Sequence, residues 1–289
     1  MSQERVSTAD IQGLITTARL RDVTADRTAA VAESPAFGVS QQNKERLLSI
    51  FSPLLLLVLW EVLVQVGLLD KRFFPAPSSI VGTFTNLITS GELFKHLWAS
   101  IQRIAIGFAL GGIPGLIVGI TMGLFRWVRV FLSPMVAALY PIPKIAILPL
   151  IMLIFGLGEQ SKWVIIAIAV FFLILYNTMA GVMNIPNIYL DVGKNFGASR
   201  LQFYLTVALP GALPLIFTGV KLAAGVALLV IVAAEFVGAK TGIGYMIWQS
   251  WQTFSVETMY VGLVVIAILG YLVSLSLDEL EHVLIPWRL

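Results

Sequence analysis

Asp191-Val-Gly-Lys-Asn-Phe-Gly-Ala-Ser-Arg200, followed by Val207-Ala-Leu-Pro210, lies between two long apolar segments near 163–185 and 211–237. A chain otherwise built for lipid here turns polar and charged, with helix signals on both sides of a glycine. Gly197 suits the left-handed turn that ends one helix, because it has no Cβ to clash. Ser199 suits the cap of the next, because its hydroxyl accepts an otherwise unpaired amide. Pro210 and Pro214 fall where the following apolar helix begins, and a first turn tolerates a missing N–H. A helix–turn–helix between two membrane-crossing helices predicts a surface that docks a soluble partner.

Composition gives the setting for that loop. Of 289 residues, 58% are hydrophobic and 12% charged, and the mean hydropathy is +0.89. Soluble domains carry about 25% charged residues, and apolar runs of ~20 residues match a ~30 Å hydrocarbon core. The reading is an all-α, polytopic membrane protein. The net charge of +3 reflects few ionisable groups, not a basic patch, and does not point to nucleic acid. With no cysteine, disulfides, thiolate metal sites and cysteine nucleophiles are excluded. His96 and His282 are too few and too far apart to suggest a metal site.

Residues 1–43 differ from the rest in being rich in Ser, Thr, Ala, Arg and Asp, and they read as a cytosolic tail, disordered by composition. They lack the basic-then-apolar order of a signal peptide. Ile11, Leu14, Ile15 and Ala18 follow helical spacing after Ser7-Thr8, which leaves a short amphipathic helix as the alternative. Residues 44–289 form the membrane domain. Six apolar segments fall near 47–69, 98–124, 128–155, 163–185, 211–237 and 259–278. A proline-rich turn, Asp70 to Ser79, follows the first of them. Before the last, Gly238-Ala-Lys-Thr-Gly-Ile-Gly244 leads into a helix bearing Tyr245, Trp248, Trp251 and Phe254, residues suited to a membrane interface.

Three groups of residues stand out within the segments. Gly107, Gly111, Gly115, Gly119 and Gly123 repeat every four residues, so they share one helix face and predict close packing of another backbone. Tyr140-Pro-Ile-Pro-Lys-Ile-Ala-Ile-Leu-Pro149 holds Pro141, Pro143 and Pro149, and each of these lacks an amide donor and bends the chain. Broken helices persist in a bilayer only where protein or a water-filled cavity surrounds them. Lys144 lies in that break, ~22 Å along a straight helix from Arg129, where an unpaired cation costs at least ~2.5 kcal/mol. Lys144, with Pro143 and Pro149, is therefore a candidate lining of a translocation pathway, against the alternative of a snorkelling or structurally paired lysine. Glu235, in Ala233-Ala-Glu-Phe-Val-Gly238, is the second candidate. Glu61 and Arg103 read as structural residues solvated near an outer membrane end.

The spacing from Asp191 to Pro210 resembles the EAA loop of ABC-transporter permeases: Glu-Ala-Ala, three residues, Gly, nine residues, then Ile-x-Leu-Pro. Asp191, Val192 and Gly193 stand for the opening triplet, Gly197 is kept, Val207 replaces the Ile, and Leu209-Pro210 match. Pro-Lys-x-Ala-x-Leu-Pro-Leu from Pro143, Phe155-Gly-x-Gly158, and Ala-Ala-Glu235 followed by Gly-x-Gly extend the likeness to the nitrate/sulfonate/taurine branch, from about Phe73 to Arg288. Retention of Gly197 fits the sulfonate and taurine members better than the nitrate members.

The resemblance implies a type I ABC importer permease fold of about six transmembrane helices in the inner (plasma) membrane. It implies a second permease copy, two cytosolic ATPase subunits carrying ATP-Mg, and an external solute-binding protein, periplasmic or lipid-anchored. Coupling to the ATPase then falls on cytosolic helices near 187–206, with Asp191, Gly193, Lys194, Gly197, Ala198, Ser199, Arg200 and Pro210 at the contact. With the N-terminus and this loop cytoplasmic, eight Lys/Arg flank the cytoplasmic side and six the other, a small positive-inside bias in the same direction. Lys144 fits a small anionic solute on charge grounds.

No phosphate-binding loop is present. Gly238-Ala-Lys-Thr241 has Ala239 where a glycine is needed, so the chain is not expected to be an enzyme or to bind a cofactor itself. A secondary transporter or channel would explain the broken helix without an ATPase, but it predicts an internal repeat or several buried acids, and neither is visible. A membrane enzyme should cluster His, Asp or Glu at one depth, and no such cluster is seen.

Overall fold

The computed structural model describes the backbone of residues 41–186, 188, 191–192, 195–199, 202 and 204–288, and the side chains of all of these except 41–50, 204, 205 and 288. The tail expected over 1–43 lies outside the described residues as far as residue 40. The chain divides into two units, 1–59 and 60–289. Helix α1, Gln41–Gln65, begins in the first unit, and its side chains from Phe51 to Leu59 are exposed apolar groups.

In the second unit follow α2 (Pro77–Thr89), α3 (Glu92–Leu124), α4 (Arg126–Leu139), a 3-10 turn (Lys144–Ile147), α5 (Leu148–Phe155), α6 (Glu159–Met183), α7 (Leu209–Phe236), α8 (Ile243–Gln252) and α9 (Val256–Leu284). No strand occurs among the described residues. Among the described residues, four helices are long and apolar enough to cross a membrane: α3, α6, α9, and α7 with the turn before it, Thr206–Phe236. The pair Arg126–Leu139 and Lys144–Phe155, bent by 82°, has the length and composition of a broken span or a re-entrant loop, and Phe51–Gln65 is a shorter apolar helix. The six apolar segments of the sequence map onto these elements.

The third segment breaks where its prolines fall. Pro143 starts the 3-10 turn with an extended backbone, and Pro149 is the second residue of α5, so neither removes a hydrogen bond that a helix interior needs. The straight-helix distance expected between Arg129 and Lys144 does not apply, because the chain turns through that 82° bend.

The five-glycine stripe packs α3 on α6. A Cβ added at Gly111 would lie 2.1 Å from the Ala167 carbonyl oxygen, and at Gly115 2.7 Å from that of Phe171. At Gly107, Gly119 and Gly123 it would meet Ile166, Thr178 and Val182 at 2.6–2.7 Å. Only hydrogen fits at such separations, so the two backbones run in contact. α6 also joins α7 in a core of Ile165, Ile166, Ala169, Val170, Ala223, Ala227 and Ile231. The 184–208 connection leaves one end of this three-helix core, here called the loop end. The 237–242 connection lies at the other.

Candidate functional site

At the loop end the chain shows both helix signals read from sequence. Residues 188, 191, 192 and 195 are helical, and the Phe196 amide donates to the Val192 carbonyl at 3.0 Å. Gly197 follows with φ of 69°, a conformation that a side chain disfavours. Ser199 and Gln202 then form a capping box, the Gln202 amide donating to Ser199 Oγ at 3.3 Å and the Ser199 amide to Gln202 Oε1 at 2.9 Å. Ile188, Val192 and Phe196, spaced four apart, share one helix face and are 67%, 48% and 87% exposed. Asp191, Ala198 and Ser199 are also exposed, and Pro210 is the second residue of α7. Gly193, Lys194 and Arg200 lie outside the described residues.

At the opposite end lies a buried cluster of charge. Arg103 is 3% exposed, and each of its five N–H groups has an acceptor. Nε and Nη2 donate to the Glu159 carboxylate at 2.5 and 2.7 Å, and Nη1 to Glu235 Oε1 at 2.7 Å. The remaining two reach the Thr241 carbonyl at 2.5 Å and its hydroxyl at 3.1 Å. Glu235, wholly buried, also accepts from Ser100 Oγ and from the Gly244 amide at 2.8 Å. The Ile243 amide donates to Ser100 Oγ at 2.9 Å, and the Gly242 amide to His96 Nδ1 at 3.1 Å. Lys162, 1% exposed, donates to the carbonyls of Leu157, Gly158 and Gly238. The cluster pins α3, α6, α7 and the 237–242 connection together. In this setting Glu235 is a buried partner of Arg103 and exposes no surface in this chain. Arg103 is likewise enclosed by ion pairs, not solvated at an end as expected.

Glu61 caps a helix. Its carboxylate accepts the Ser78 amide and hydroxyl at 3.0 and 2.9 Å, at the start of α2. In the turn before α2, the hydrogen bonds of Arg72 hold the Asp70 carboxyl below its usual pKa.

Lys144 sits in the break of the third segment. Its ammonium donates to the carbonyls of Leu139, Tyr140 and Ile142 at 3.1, 2.8 and 2.8 Å, and lies 4.7 Å from the centre of the Phe172 ring. An ammonium has three donors, and all are in use. A pathway role for Lys144 therefore reduces to its charge. Beside it lies an open cavity of about 490 Å³, lined by Leu139, Ile142, Lys144 and Ile147 on one side and by Leu110, Gly111, Phe171 and Phe172 on the other.

Residues 115–288 match the family of binding-protein-dependent transport system inner membrane components. The chain belongs to that family. It is 36% identical to SsuC of Bacillus subtilis, a permease named for aliphatic sulfonate transport, over 82% of this chain and 86% of that one. It is 33% identical to TauC of Escherichia coli, a taurine transport system permease, over 85% of this chain and 91% of that one. Among solved structures, an inward-facing form of the MetNI methionine ABC transporter shares the fold, with a TM-score of 0.58 and 22% identity, covering 68% of this chain and 97% of that chain. The protein is thus a multi-pass ABC transporter permease, a transport component and not a secondary transporter.

The permease's buried cluster was only half visible in its sequence. Glu235 stands out in the sequence by its apolar setting, whereas Arg103, Glu159, Lys162 and Ser100 show no joint role there. A signal existed: His96, Ser100 and Arg103 stand four, three and four residues ahead of one another and of Gly107, so they continue the glycine stripe toward the start of α3. Charges on a packing face must find partners there.

Proposed function

We propose that this permease is the membrane-crossing subunit of an ATP-driven importer for a small sulfonate-type anion. Separate ATPase subunits carry the ATP-Mg and dock on the 187–206 loop. Two copies of the chain form the pathway, an external solute-binding protein delivers the solute, and the N-terminus and the loop face the cytoplasm of the inner membrane. The observation that carries the reading is the exposed stripe Ile188, Val192 and Phe196, presented between two membrane-crossing helices and ended by the Gly197 turn. Phe196 at 87% exposure is a large apolar group in contact with water unless a partner covers it. Asp191, Gly193, Lys194, Ala198, Ser199, Arg200 and Pro210, neighbours of that stripe in the sequence, are assigned to the same contact. The substrate class follows the names of the sulfonate and taurine permeases that the chain is similar to.

The test is reconstitution with candidate ABC-type ATPase subunits. Wild type should co-purify with one of them, and the complex should import taurine when a binding protein is supplied. Phe196→Asp should lose the ATPase while the permease remains monodisperse. Retention of the ATPase by Phe196→Asp would refute the docking assignment, and failure to import any sulfonate would refute the substrate class.

A further inference from the structure

We propose that the break Tyr140–Ile147 is a hinge between two separately seated arms, and that Lys144 is its pin. The arms are α4 and α5. Val136 of α4 is buried with Met122, Phe172 and Leu175, whereas Leu148, Ile151 and Met152 of α5 are buried with Ile165, Ile166 and Ala169. Each arm therefore has its own apolar seat on the α3–α6–α7 core, and the joint between them touches it at its two ends, where Tyr140 meets the Phe172 and Tyr176 rings edge-on and Ile147 packs beside the seat of α5. Pro141, Ile142, Pro143, Ile145 and Ala146 are exposed.

The core and the joint are held by different kinds of bond. The core has backbone contact along the glycine stripe at its middle and the fully paired Arg103 cluster at one end, so parting its helices breaks many contacts at once. The joint is held by one ammonium on three carbonyls and one aromatic ring, by the amides of Ile142 and Ala146 on the Leu139 and Pro143 carbonyls, and by the Tyr140 ring against Phe172 and Tyr176. Those carbonyls belong to the last residue of α4 and to the break that follows it, where the i+4 amide of a continuing helix is lost and Leu139 alone keeps a backbone donor, the Ile142 amide at 3.3 Å. Lys144 thus satisfies them, and a small rotation of its flexible stem can follow them if the arms move.

There is also room for movement. The cavity of about 490 Å³ lies between the joint and Leu110, Gly111 and Phe171 of the core, while Lys144 and Tyr140 rest on Phe172, so the joint has open space beside that ring into which it can swing. The bend of 82° is then one position of the hinge and not its only one.

The inference goes beyond the importer reading and can be tested on the permease alone. The chain has no cysteine, so single pairs can be introduced and spin-labelled without background. A pair at Phe131 on α4 and Leu153 on α5, both highly exposed, reports the angle between the arms, and a pair at Trp98 on α3 and Leu229 on α7 reports the core. With the full chain in lipid nanodiscs, Lys144→Met should shift or broaden the arm distance and leave the core distance unchanged, and Lys144→Arg should lie close to wild type. Ile168→Trp, which fills the cavity without touching the carbonyls, should narrow the arm distribution. An unchanged arm distance in Lys144→Met, or an equal shift of both pairs, would overturn the proposal. If Lys144→Met does not fold, Ile168→Trp decides: narrowing supports the hinge and no change overturns it. Loss of ATPase docking would count against the importer reading only, since neither pair requires the ATPase.

Discussion

Arg103 illustrates what a single residue settles in this permease. A guanidinium offers five donors in a fixed fork, and here both carboxylates and both oxygens of Thr241 are placed to receive them. A lysine ammonium could reach fewer of these groups, so Arg103→Lys is not a conservative change here. Arg103→Ala strands the wholly buried Glu235 without its cation, and breaking a buried pair in this way costs about 3–5 kcal/mol. Thermal unfolding in detergent should show a large loss for Arg103→Ala and a partial loss for Arg103→Lys. Glu235→Gln should be milder than Arg103→Ala, because its amide keeps an oxygen for Ser100 or Gly244 and Arg103 keeps Glu159. Equal midpoints for Arg103→Ala and wild type would show that the cluster contributes nothing to stability.

At the scale of an element, the α3–α6 pair is decided by hydrogen atoms at five positions. Gly111→Ala places a methyl 2.1 Å from a main-chain oxygen that cannot move aside, so it should be the most damaging alanine on the stripe. Gly112, one residue away, would place its methyl 3.1 Å from the Ile174 Cδ1 atom, the free end of a side chain that can rotate. Gly112→Ala should therefore retain monodisperse protein on size-exclusion chromatography while Gly111→Ala aggregates or loses yield. Gly115→Leu should also part the helices, since its first carbon already meets the Phe171 carbonyl. A second element, the 187–206 loop, turns on Gly197 at φ of 69° with no atom near its missing Cβ. Gly197→Val there acts through backbone conformation alone, at about 1–3 kcal/mol for a side chain held in that region. Co-purification with the ATPase should fall while the melting midpoint of the membrane helices stays close to wild type.

For the whole molecule, the proposed orientation puts the loop end of the α3–α6–α7 core on the cytoplasmic face and the other end on the opposite face. A chain without cysteine allows this to be measured by labelling one introduced thiol at a time. Phe196→Cys, at the loop end, should be labelled by an impermeant maleimide only in inside-out vesicles. Lys240→Cys, exposed at the other end, should be labelled only in intact cells or right-side-out vesicles. The reverse pattern would invert the topology and remove the basis for ATPase docking on the loop. The many large apolar side chains left exposed, such as Trp127 at 85% and Leu153 at 82%, are those expected of helices facing lipid or a second copy.

The fold class was legible in the sequence because most of the apolar segments are long enough to meet the hydrocarbon thickness on their own. Backbone satisfaction within each helix then leaves little choice of structure. The glycine stripe, the proline break and the turn at Gly197 were legible for a related reason: each depends on the local chemistry of one residue type at a fixed spacing. Pairing between distant charges was not. Arg103, Glu159, Glu235 and Thr241 lie up to 138 residues apart, and only the packing of α3, α6 and α7 brings them within hydrogen-bond reach. Lys144 shows the same limit within a short span. Its sequence position marked it as a cation in an apolar segment, but which acceptors its ammonium meets depends on the direction in which the chain bends after Leu139, and that direction is set by the separate seats of the two arms on the core.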